Sequence, residues 1–152
     1  MDDNTSFGRT IRLFLVDSNT NGLITAELSN WTGKSFKIPK IKLKEYINRT
    51  DLKRPSVYLL FGKNEKDHDA AYIGEAEVGI ERVQQQVREK EFWNEVIIFN
   101  SKDSYLNKAS IKYLEHRMYL EALKASRYDI TNTNIPTKPE VSEAEQAELE
   151  EF

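Results

Sequence analysis

Short apolar runs split by polar turns occupy the first half of the chain, and helical spacing takes over in the second. Residues 10–16 and 23–28 read as strands around the turn cluster 17–22, which predicts an N-terminal β-hairpin. A short run to Ile38 and Pro39 follows, then Ile41, Leu43, Tyr46 and Ile47 at the spacing of a short helix, with a connector at 49–51. Residues 57–61 and 70–73 are β-type runs joined by the polar loop 62–69, a second hairpin. Ile80, Val83 and Val87 fall at i, i+3 and i+7, which predicts a helix over 80–88. Residues 95–99 read as a strand of buried type. A loop at 101–107 ends in Asn107, a helix-capping residue. From Lys108 to about Ser126, Ile111, Leu114, Met118, Ala122 and Ala125 recur at core spacing on a long helix. Beyond Asn132 large apolar residues become sparse, and Pro136, Pro139 and a glutamate-rich run read as a linker or tail, with a nascent helix at 144–149.

The order β-β-α-β-α predicts an α+β protein with a small three-stranded antiparallel sheet flanked by helices, preceded by the extra hairpin and short helix. Three segments result: 1–50 as an extension packed on the main unit, 51–135 as that unit, and 136–152 as an acidic linker or tail. No internal repeat is visible.

Composition narrows the chemistry. At 152 residues, 39% hydrophobic and 31% charged, the chain is one polar globular domain with room for a core. The absence of cysteine excludes disulfides, a thiolate nucleophile and cysteine-ligated zinc, and two histidines are too few for a histidine-rich metal cage. No apolar run reaches the ~20 residues of a membrane span, and the acidic start at residues 1–6 is unlike a secretory signal. A cytoplasmic protein without a membrane partner is the expectation. From Pro136 onward one Lys and six Glu give a net −5, which leaves residues 1–135 at +2 out of the chain's −3. Charge is therefore neutral on a nucleic-acid partner. Lys34, Lys37, Lys40, Lys42 and Lys44 make one segment markedly basic, either a solvated face or a contact for a DNA backbone.

On pattern alone, Glu115 sits at the edge of the apolar stripe of the long helix, as a salt-bridged surface acid or as a ligand for a hard cation. Arg82, on the helix after the second hairpin, reads as a surface arginine or an anion contact. Tyr58 and Tyr72 read as half-buried strand aromatics or as paired phenols. His68 falls in the hairpin loop, and His116 points about 100° around the helix from Glu115, so neither is chosen as a ligand.

Ser56-Val57-Tyr58 followed by Tyr72-Ile73-Gly74 resembles the two tripeptides that name the GIY-YIG nuclease family. Phe92-Trp93-Asn94-Glu95-Val96, Ser101-Lys102-Asp103 and Asn30-Trp31-Thr32-Gly33 resemble a bacterial subgroup carrying that domain, often with a further C-terminal domain that these residues do not include. The acidic tail would then mark where a longer protein was cut. The resemblance covers roughly residues 10–135. It implies a catalytic set of Tyr58, Tyr72, Arg82, Glu115 and Asn132, with Asn134 as the alternative to the last.

What the resemblance implies is a metal-dependent DNA endonuclease, or else a non-catalytic nucleic-acid-binding module on the same scaffold. One divalent ion, Mg²⁺ or alternatively Mn²⁺, would sit on Glu115, and no small-molecule cofactor is expected. Arg82 would bind phosphate oxygens through its fork of donors. Tyr58 would act as base or water-orienter and Tyr72 as phosphate contact, or the reverse. Lys34, Lys37, Lys40, Lys63 and Gln86 are the expected nucleic-acid contacts. Two positions depart from the pattern: Ser56 stands for the usual Gly, and Gln86 stands where many relatives carry His. Gln can donate a hydrogen bond but cannot titrate.

Overall fold

The computed structural model describes residues 6–152; the polar start within the expected 1–50 extension lies partly outside the described residues, at 1–5. The strands are β1 (Ile11–Leu15), β2 (Ile24–Leu28), β3 (Gly33–Pro39), β4 (Ser56–Lys63), β5 (Asp69–Ala76), β6 (Trp93–Ser101) and β7 (Asp129–Ile130). The helices are α1 (Gly79–Glu89), α2 (Lys108–Ala125) and α3 (Glu143–Glu151), with 3-10 turns at Lys40–Tyr46 and Thr50–Leu52. All seven strands form one sheet in the order β1-β2-β3-β6-β4-β5-β7. Every neighbouring pair is antiparallel except β5 and β7, which run parallel.

This overturns the expected small three-stranded antiparallel sheet. Residues 33–39 form a full strand that pairs with β6 from Gly33↔Ser101 to Pro39↔Glu95 and draws the N-terminal hairpin into the same sheet. Phe36 and Ile38 point inward with Lys37 outward between them, a period-2 signal masked by the surrounding lysines. At the far side, Ala70 and Ala71 of β5 pair with Asp129 and Ile130. The sheet is therefore continuous across the boundary between residues 50 and 51.

Two cores sit on opposite faces. On one, Tyr58 and Leu60 of β4, Ile98 and Val96 of β6, Phe36 and Ile38 of β3, and Ile80 and Val83 of α1 pack with Leu43, Tyr46, Leu52 and Trp93. On the other, Val57 meets Ile111, Tyr113 and Leu114 of α2 and Leu149 of α3. Because β4 is covered on both sides, it reads as a continuous apolar run and not as an alternating one.

The long helix starts at a reciprocal cap. The Asn107 side chain accepts from the Ser110 backbone N–H at 2.9 Å, and the Ser110 hydroxyl accepts from the Asn107 N–H at 3.3 Å. Its apolar stripe holds through Met118, but Ala125 is exposed where core spacing places it inside. The acidic C-terminal segment ends in α3, which docks through buried Leu149. Arg117 bonds Glu150, Tyr113 donates to the same carboxylate, and the Trp31 indole N–H donates to the Phe152 carbonyl at 2.8 Å. Among the described residues, no helix is long and apolar enough to cross a membrane.

Candidate active site

The two phenols share a face because of strand register. Tyr58 lies opposite Gly74, and Leu60 opposite Tyr72, so positions 58, 60, 72 and 74 all point to the side covered by α1. The rings sit 6.3 Å apart, centroid to centroid, tilted by 36°. Gly74 is what permits this approach: a Cβ there would collide with the Tyr58 ring and hydroxyl.

The tyrosines differ in their access to solvent. Tyr58 is 1% exposed and its oxygen accepts a hydrogen bond from Gln86 Nε2 at 3.3 Å. Burial first, then the neighbouring Tyr72, pushes its phenol far above the ordinary value of 10.0, with Arg82 opposing. A phenol held so firmly protonated is a poor base. Tyr72 is partly exposed, and the Lys90 ammonium lies 4.2 Å from its ring centroid. Its phenol is also raised, by burial and then by Glu115, while Arg82 pulls it down. Both phenols thus feel the Glu115 carboxylate from α2 and the Arg82 guanidinium from α1. Charges from two helices reach the phenols of β4 and β5, Tyr58 sealed inside the fold and Tyr72 partly open to solvent.

Glu115 is half-buried, and its carboxyl is raised from 4.5 to about 7, first by burial and then by Glu75, with Lys112 opposing. Glu75 directly follows Gly74 on β5. Sequence reasoning passed over it, over Lys112 (three positions before Glu115 on the same helix) and over Lys90. Adjacency to Tyr72-Ile73-Gly74 and i−3 spacing were the available signals. Next to this group a polar hollow of about 440 Å³ is lined by Glu75, Arg82, Lys108 and Lys112 among others.

Asn132 reaches the site in another capacity. Its Oδ1 accepts from the Ile73 N–H at 3.1 Å and its Nδ2 donates to the Ile73 carbonyl at 2.8 Å. The amide thus imitates a strand partner and pins the edge of β5 that carries Tyr72 and Glu75. Asn134 is exposed.

The expected nucleic-acid contacts are mostly tied to other groups. Lys34 lies 4.0 Å from Glu27 and 3.9 Å from Asp51, Lys37 3.6 Å from Glu95, and Lys63 3.9 Å from Asp67 and 3.7 Å from Asp69. Lys40 sits 4.6 Å from the Trp93 ring centroid and donates to the Lys90 carbonyl at 3.1 Å. Gln86 is 3% exposed, so it cannot touch a strand arriving from solvent. Its Oε1 has no hydrogen-bond partner among the described residues.

A divalent ion fits the donors present. Two carboxylates, Glu115 and Glu75, repel one another, and a hard cation between solvent and these oxygens relieves that repulsion. Among the described residues no three His, Cys, Asp or Glu side chains gather into a cage. Mg²⁺ suits such a sparse set, because it retains waters and binds one or two carboxylates plus phosphate oxygens. No family model, no curated protein and no solved structure matches this chain.

Proposed function

We propose that the chain is a metal-dependent endonuclease of GIY-YIG type that hydrolyses DNA phosphodiester bonds. The observation that carries this reading is the register that sets the partly exposed Tyr72 beside Tyr58 on the sheet face covered by α1, next to a polar hollow lined by Arg82 and Glu75. Phosphodiester hydrolysis needs an oriented water, neutralised phosphate charge and support for the departing oxygen. Arg82, exposed at the start of α1, binds the phosphate oxygens. Tyr72 orients the water, and Lys90 over its ring disfavours a rival cation there. Glu115 and Glu75 would hold Mg²⁺ or Mn²⁺, which would supply positive charge to offset the negative charge developing on the phosphate and the departing oxygen. Tyr58, Gln86 and Asn132 fix the positions of these groups from within the fold.

Nicking of supercoiled plasmid with Mg²⁺ or Mn²⁺ tests the proposal against Glu115→Ala, Arg82→Ala and Tyr72→Phe. Each substitution should lower the rate by at least about 100-fold. Equal nicking by the wild type and Glu115→Ala removes the acid from the chemistry.

One observation favours a second reading, a nucleic-acid-binding module without catalysis. The position where relatives carry His holds Gln86, which is buried and cannot titrate. DNA binding by the wild type with no nicking in either metal selects it.

A further inference from the structure

The outer face of α1 borders two hollows. The larger, about 980 Å³, lies between α1 and the 3-10 turn Lys40–Tyr46. The smaller is the polar hollow beside the candidate active site. Glu81 and Gln85 line both, so the hollows adjoin across these two side chains as two stretches of a trough between the basic N-terminal segment and Arg82.

The trough has a charge unlike that of the whole protein. Its walls carry Lys40, Lys44, Arg82, Arg88, Lys108 and Lys112 against Glu75, Glu77 and Glu81, a net +3 on a chain whose total is −3. None of those six cations makes an ion pair within 4.0 Å among the described residues, whereas Lys34, Lys37, Lys42 and Lys63 all do. Lys44 and Arg88 are exposed and touch no carboxylate among the described residues, at the end of the trough away from Lys112. Ile41, 91% exposed, stands at the same lip. Six helical residues separate Arg82 from Arg88, about 9 Å along the axis. That is the reach of two to three nucleotides at ~3.4 Å each along one strand.

We propose that this trough holds the sugar-phosphate backbone of duplex DNA on its way to the site, with Lys44 and Arg88 gripping phosphates two to three nucleotides from the one held by Arg82. The assignment rests on the nuclease reading for its direction but not for its test, since binding is measured without turnover. Six cations with no acidic partner among the described residues, contributed by α1, α2 and the 3-10 turn, give this surface the positive charge that draws a polyanion.

The experiment is fluorescence anisotropy of a labelled duplex of about 20 base pairs with the full chain in EDTA, over a salt series. Lys44→Glu/Arg88→Glu should weaken binding about 10-fold or more and reduce the slope of log affinity against log salt by about 2, as expected for two lost phosphate contacts. Lys44→Gln/Arg88→Gln provides the milder pair should reversal disturb folding, and should show the same slope change. Lys66→Glu/Lys124→Glu, equally exposed but elsewhere, should bind as wild type. Unchanged affinity and slope in both trough variants overturns the proposal, as does an equal loss in the Lys66/Lys124 pair. Displacement by polyglutamate as effective as by unlabelled duplex also overturns it, because the surface would then be an acidic-peptide site. A wild type that binds through Lys44 and Arg88 but never nicks sinks the nuclease reading alone. A wild type that nicks while the trough variants bind normally sinks the trough alone.

Discussion

Replacing Glu115 with glutamine should stabilise the protein, and only in one range of pH, while on the nuclease reading it abolishes nicking. The native carboxyl is raised from 4.5 to about 7 by burial and by Glu75. The folded state therefore holds this proton more tightly than the unfolded chain does. Its contribution is fully favourable below about pH 4.5, is lost as pH rises toward 7, and stays lost above that. Left unscreened, the gap between those two values would be worth roughly 3 kcal/mol. The side chain is only half-buried, so solvent and salt reduce this to about 1–2 kcal/mol. Glutamine keeps the shape and carries no charge. At about pH 8 in EDTA, Glu115→Gln should melt about 2–8 °C above the wild type, and at about pH 4.5 the two should coincide. Calorimetry or far-UV circular dichroism at the two pH values decides it. Adding Mg²⁺ should raise the melting temperature of the wild type and leave that of the variant unchanged. A variant less stable than the wild type at both pH values would refute the claim that Glu115 is held there at the expense of stability.

Tyr58→Phe deprives the buried Gln86 amide of its acceptor and should lower stability by about 1–2 kcal/mol in urea unfolding, with nicking reduced far less than by Tyr72→Phe. The reverse ranking would return the chemistry to Tyr58. Leu149→Ala, at a position 3% exposed against α2, should lower stability by about 2–3 kcal/mol. A silent result there would mean that α3 contributes nothing to the second core.

Much of the local structure was legible in residue order. The N-terminal hairpin, α1, α2 and its Asn107 cap follow from strand-type runs, helical spacing and side-chain capping chemistry, which act over a few residues. Other features needed the folded chain. Phe36 and Ile38 mark an inward face, but only β6, some sixty residues later in sequence, turns residues 33–39 into an interior strand of a larger sheet. The acidic C-terminal segment looked like a linker by composition, yet Leu149 finds a core and Arg117 finds Glu150.

The same division runs through the candidate site. Residue types came from the chain alone: two phenols, an arginine, a glutamate and an asparagine amide at positions that resemble a nuclease pattern. Their roles came from pairing. Register put Tyr58 beneath Gly74 and sealed it, left Tyr72 at the rim, and set Glu75 near Glu115. It also turned Asn132 onto the Ile73 backbone and bound Lys34, Lys37 and Lys63 to acids from other turns and strands. Propensity and spacing determine which element a residue joins, because those forces are local. Exposure, partner and proton affinity depend on which distant segment arrives alongside, and only the tertiary structure decided that.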